Sequence, residues 1–195
     1  MVFRAPFVTA LAVTALVVVP GIAQAQHRSE GWEIAAAVLP LPDSMRTGAR
    51  ILLYRGTDLV EVRPGTNEMI CLGDDPSHKG LQVSCYHKSL EPFMLKGREL
   101  RAAGITKREA VDSARLADVK SGRIVMPASA MLSSIFAESD SFDALAGPPE
   151  KHGALDVIYL PFATRESSGI SEQPAADRPW LMFPGKPWAH VMLSR

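Results

Sequence analysis

Cys71 and Cys85 are the only cysteines, and the residues around them constrain the fold more than any other feature of the chain. Residues 69–73 and 81–87 both read as strands, and Asp74-Asp75-Pro76-Ser77-His78-Lys79-Gly80 between them is built of turn formers. If the strands form a hairpin, pairing Gly73 with Val83 puts Cys71 opposite Cys85, both on one face. A disulfide there closes a loop of about 15 residues, worth about 3 kcal/mol in the chain-entropy model. A redox-active pair is the alternative reading, against which stands the absence of C-x-x-C spacing.

Pairing requires an oxidising compartment, and the start of the chain points to one. Arg4 is the single charge in residues 1–25, an apolar run follows, Pro20-Gly21 breaks it, and Ala23-Gln24-Ala25 supplies small residues before a cut. This is the pattern of a secretory signal peptide, with the mature chain expected to start at Gln26. Residues 26–195 are then one exported domain, periplasmic or secreted, with no membrane insertion once the leader is removed. An exported chain with an even cysteine count usually pairs them.

Charge narrows the function classes. The 195 residues carry 21 Lys+Arg and 21 Asp+Glu, a net charge of zero. Nucleic-acid binding by bulk charge is therefore not expected. Apolar residues at 47% are enough for a core, which excludes a disordered acidic or basic tail.

The remaining order of elements predicts an α+β fold: an antiparallel β-meander with two central helices packed on the sheet and one disulfide. Residues 32–39 read as a short helix or strand. Residues 51–54 are an apolar strand, and 59–63 alternate, with Val60 and Val62 inward and Glu61 and Arg63 outward. Pro64-Gly65 then turns the chain toward the disulfide hairpin. Ser89 is the expected N-cap of a helix reaching Gly104, whose apolar stripe includes Phe93 and Gly97, the glycine suggesting close approach to the sheet. Thr106-Lys107-Arg108-Glu109 reads as a capping box opening a second helix. Residues 124–127 read as a short strand and 129–137 as a short helix. Residues 156–162, 180–183 and 188–193 read as late strands, and 138–155 and 164–178 are mostly loop.

Strong catalytic signatures are absent: no G-x-S-x-G, H-E-x-x-H, S-x-x-K, P-loop or G-x-G-x-x-G. No cofactor is expected. Three weaker groupings remain. Asp74, Asp75 and His78 on the hairpin loop combine two carboxylates with an imidazole, as a divalent metal would need, though Asp is equally at home in an exposed turn. His190 shares a strand face with Trp188, and with Trp180 and Tyr159 these residues could line a pocket in which the imidazole acts as base; the plainer alternative is a core histidine with one backbone partner. Arg98 could meet an anionic group bidentately or lie on a solvated face. His87, at the hairpin's far end, is a second candidate base.

Arg63-Pro64-Gly65-Thr66-Asn67 through Cys71-Leu72-Gly73-Asp74-Asp75-Pro76, then Cys85, resembles a segment of uncharacterised secreted bacterial proteins. The tail Pro184-Gly185-Lys186-Pro187-Trp188-Ala189-His190-Val191-Met192 is similar to their ends. The likeness covers roughly a third of the chain. It implies export and a bacterial source, and it carries no activity or catalytic residue across. The expectation is an accessory module binding a small molecule or a partner protein. The alternative is a small hydrolase or metal-assisted enzyme with His190 or His87 as base and Asp74 or Asp75 as orienting carboxylate.

Overall fold

The computed structural model describes Met1, residues 28–139 and residues 141–194. The leader and the expected mature start at Gln26 fall outside the described residues, Met1 apart.

The cysteine hairpin forms in the register its residues predict. β-strands at Met69–Leu72 and Leu81–His87 pair antiparallel with Cys71 opposite Cys85, joined by a disulfide across a Cα–Cα distance of 4.0 Å. In chain order the strands are β1 (Arg50–Arg55), β2 (Asp58–Arg63), β3 (Met69–Leu72), β4 (Leu81–His87), β5 (Ala130–Ala137), β6 (Gly153–Tyr159), β7 (Trp180–Met182) and β8 (His190–Ser194). They form one eight-stranded sheet in the order β2-β1-β3-β4-β5-β6-β8-β7.

That order is not the expected meander. β2 pairs only with β1, and β3 lies on the other side of β1, parallel to it. Residues 64–68 are therefore a crossing rather than a hairpin turn. Thr66 and Asn67 donate their backbone N–H groups to the Gly48 carbonyl at 2.8 and 3.0 Å, and Asn67 Nδ2 reaches the Met45 carbonyl at 2.8 Å. Gly65 makes the crossing possible, because a Cβ there would stand 2.9 Å from the Arg50 nitrogen. β2 is thereby left at the sheet edge, where a bulge skips Val62 between the pairs Ile51–Arg63 and Leu52–Glu61. The bulge overturns the simple alternation expected for β2. Val60 is 44% exposed, while Arg63 folds back to donate to the carbonyls of Ala49 and Arg46.

Helices cover both faces. Ser29 Oγ accepts from Trp32 N at 3.2 Å and starts α1 (Glu30–Ala37), whose Glu30 and Glu33 both meet Arg55. Its buried Ala36 and Ala37 let α1 lie close to the sheet, against Ile51, Leu53, Cys71, Cys85, Leu81 and Val83. The short α2 (Asp43–Arg46) follows. On the opposite face, Leu52, Ile70, Tyr86, Val157 and Tyr159 pack with Leu90 and Phe93 at the start of α3 (Glu91–Ala102). α3 begins at Glu91-Pro92, after a single 3-10 turn at Lys88–Leu90 that the His87 side chain caps, so Ser89 is not its N-cap. α4 (Arg108–Lys120) has Lys107 at its N-cap with no side-chain cap bond. The capping box instead opens the one-turn α5 (Arg165–Ser168), between Thr164 and Ser167.

Three local expectations are corrected further along. Residues 129–137 are not helical; β5 sits near the sheet centre and pairs along its length with both β4 and β6. Neither Leu132-Ser133-Ser134-Ile135 nor its neighbours show a decisive period, so hydrogen bonding on both edges settles the conformation. Residues 124–127 form no strand. Trp188 lies in the turn before β8 rather than on it.

Among the described residues, no helix is long and apolar enough to cross a membrane. The loop before β6 is held at one point by α1, through Trp32 Nε1 donating to the Phe142 carbonyl at 3.0 Å.

Candidate functional site

β6 and β8 pair so that Tyr159 stands opposite His190 on the face that carries α3 and α4. Their ring centroids are 5.1 Å apart. Phe93 reaches this wall from α3, stacked on Trp188 at 6.0 Å and edge-on to Tyr159 at 6.2 Å. Phe183, just after β7, closes the other side, 5.7 Å from the His190 ring. These aromatics and the start of α4 line a half-open cavity of about 360 Å³, at the lower end of the range for small-ligand pockets.

The aromatic wall is presented by two interlocked turns. Phe162 and Phe183 both have positive φ, 64° and 54°, a conformation rare for aromatic residues. Phe162 N donates to the Lys186 carbonyl at 2.9 Å, Gly185 N to the Ala163 carbonyl at 2.8 Å, and Leu160 N to the Ala189 carbonyl at 2.9 Å. These bonds hold both strained residues, and strain of this kind gathers at ligand sites.

Three arginines line the same space. Arg101 closes α3, while Arg108 and Arg115 lie seven residues apart, two turns along one side of α4. Asp112 and Thr106 complete this rim. Among the described residues, none of the three arginines has a carboxylate within ion-pair distance, Asp112 included. Arg115 stacks over Phe93 at 4.1 Å from the ring centroid and donates from Nε to the Phe93 carbonyl at 3.1 Å. Burial, then the charge of Arg101, lowers its pKa. Arginine does not give up its proton, so the guanidinium stays charged there, with the nearby Asp112 offsetting the burial in part.

Gly97 of α3 makes room for that cation, a contact between helices rather than the expected approach to the sheet. A Cβ at Gly97 would stand 1.9 Å from Arg115 Nη2 and 2.6 Å from its Cζ. The obstructed group is the end of a flexible side chain, so Gly97→Ala is expected to fold normally. Its helix-propensity gain of about 1 kcal/mol offsets a comparable loss of the cation–π contact. The guanidinium is displaced from the cavity wall, and any anion bound there is expected to bind about fivefold more weakly with the thermal midpoint unchanged within error. Calorimetric titration beside thermal melts checks both halves.

His190 is 8% exposed, and its Nδ1 lies 2.8 Å from the Trp188 carbonyl. A carbonyl can only accept, so in this contact Nδ1 carries the proton and Nε2 presents a lone pair. Burial lowers the His190 pKa below its ordinary 6.5, and the Trp188 hydrogen bond opposes this in part. The unfolded chain therefore protonates here before the folded chain does. The stability involved is complete above pH 6.5 and is lost as the pH falls through the folded pKa, by at most about 1.4 kcal/mol per pH unit. Urea unfolding below pH 6.5 is expected to show a steeper loss for the native chain than for His190→Phe; parallel curves would show that the imidazole is not held neutral. Burial also pushes the Tyr159 phenol up to about 12, so it remains a donor at neutral pH.

Trp188, His190 and Tyr159, three of the residues singled out from sequence, thus meet at one cavity. Arg98 does not join them: its guanidinium binds Glu91 Oε1 at 2.7 Å and the Tyr86 hydroxyl at 2.9 Å. His87 Nδ1 contacts Ser89 Oγ at 2.8 Å. Asp74 accepts from Arg28 at 3.2 Å and from Gln82 N at 2.7 Å; Asp75 accepts from Ser77 N at 2.9 Å and lies 3.4 Å from His78. Among the described residues, no three His, Cys, Asp or Glu side chains are gathered as a metal ion would require. Neither Asp74 nor Asp75 lines the cavity of His190.

No protein-family model matches the chain, and no curated protein or solved structure matches it. The site therefore rests on its own chemistry. Sequence reasoning missed Arg101, Arg108, Arg115, Phe93 and Phe183. The signal that could have found part of the set is the stripe Arg108, Asp112, Arg115, whose spacing puts three charged groups on one side of a helix.

Proposed function

We propose that the protein binds a small aromatic anion in this cavity, as an exported binding module rather than a catalyst. The observation that carries the reading is the convergence of Arg101, Arg108 and Arg115, without carboxylate ion pairs among the described residues, on a pocket walled by Phe93, Tyr159, Phe183 and Trp188. Guanidinium groups match planar oxyanions, and the aromatic walls suit a flat apolar body. Binding is favoured over catalysis because a backbone carbonyl, not a carboxylate, holds His190 Nδ1. An imidazole so held gains little stabilisation as an imidazolium, which a general base must become. The leader pattern and the buried disulfide support a periplasmic or secreted location.

The test is calorimetric titration of protein from an exporting host with benzoate and with benzamide, its neutral near-isostere. Saturable binding of benzoate, at least tenfold tighter than benzamide, is expected. Equal binding of the two, or none of either, overturns the proposal.

A further inference from the structure

We infer that the ligand is a hydroxylated aromatic acid whose hydroxyl docks between His190 and Tyr159; this rests on the reading of the cavity as an aromatic-anion site. His190 Nε2 and the Tyr159 hydroxyl have no hydrogen-bond partner among the described residues. Both residues line the cavity, and neither atom is among the polar atoms sealed without a partner. The Trp188 carbonyl directs the His190 proton to Nδ1, so Nε2 is an acceptor. The Tyr159 phenol is a donor. One acceptor and one donor stand on adjacent rings 5.1 Å apart between centroids.

A hydroxyl is the small group that answers both: it donates one proton and accepts on its lone pairs. An ether oxygen cannot donate to Nε2. A bare ring edge leaves both protein groups unpaired, and each residue is 8% exposed, so an apolar occupant strips them of water without replacing it. The carboxylate of the same ligand is placed towards the arginines, of which Arg115 lies over the Phe93 ring that also packs edge-on to Tyr159. The arginines and the His190–Tyr159 pair are thus assigned to two different groups on one ring.

The experiment titrates the chain at pH 7.5 with 4-hydroxybenzoate, 4-methoxybenzoate and benzoate. 4-Hydroxybenzoate is expected to bind about tenfold tighter than the other two. In Tyr159→Phe, which keeps the ring, and in His190→Phe, that preference is expected to fall towards unity. If the three acids bind the native chain equally well, the hydroxyl assignment is wrong while the anion site stands. If none binds, the anion site falls and the assignment with it. A preference that survives both substitutions also overturns the assignment, since some other group must then read the hydroxyl.

Discussion

Replacing Cys71 and Cys85 together by alanine is expected to lower the unfolding free energy by at least about 3 kcal/mol. The bond spans 14 residues of sequence, so breaking it releases a loop whose closure the unfolded chain otherwise cannot escape. A second contribution comes from packing. Both sulfurs are buried beneath α1, among Ala37, Ile51 and Leu53, and alanines leave their volume empty. Denaturant titration of the oxidised, reduced and doubly substituted chains separates the two. The reduced chain isolates the cross-link, and the double variant adds the lost volume. A shift below 1 kcal/mol on reduction would mean that β3 and β4 already associate in the unfolded ensemble.

Removing Arg115, the half-buried member of the arginine cluster, is expected to have the largest effect on binding. Arg115→Ala should weaken benzoate binding about thirtyfold, near 2 kcal/mol, as expected for a charge-assisted contact shielded from water. Arg115→Lys should recover little of this. An ammonium group cannot stack on Phe93 while donating to its carbonyl, as the guanidinium does at 4.1 and 3.1 Å. Arg108, exposed and 5.9 Å from the Phe183 centroid, should matter less, because solvent screens it. Calorimetry on the three variants orders them. Equal losses at Arg108 and Arg115 would show that the anion sits at the cavity mouth rather than against Phe93.

The two substitutions probe parts of the molecule that were unequally legible in the sequence. The disulfide hairpin could be read down to its register, because strand alternation, turn formers and the two cysteines all lie within one short segment. Tyr159, Trp188 and His190 stood out as rare polar-aromatic types in apolar surroundings. Arg98 and Arg115 illustrate the opposite case. Both are arginines on helices, yet Arg98 is neutralised by Glu91 seven residues earlier, while Arg115 finds space only because a glycine on another helix lacks a Cβ. The Glu91–Arg98 spacing lies within one helix and can be read from it, whereas nothing in α4 alone shows the space that Gly97 leaves for Arg115.

The amino-acid sequence by itself determined the paired cysteines, the turn between them and the chemical character of one wall of the cavity. Each of these depends on interactions between residues close along the chain, where backbone geometry leaves few choices. Only the tertiary structure decided that β3 crosses to the far side of β1, that β5 is a strand, and that three arginines from two helices converge on Tyr159 and His190. Those outcomes are set by which distant backbone edges are left to pair and which side chains leave room for one another, and both are properties of the packed layers rather than of any segment.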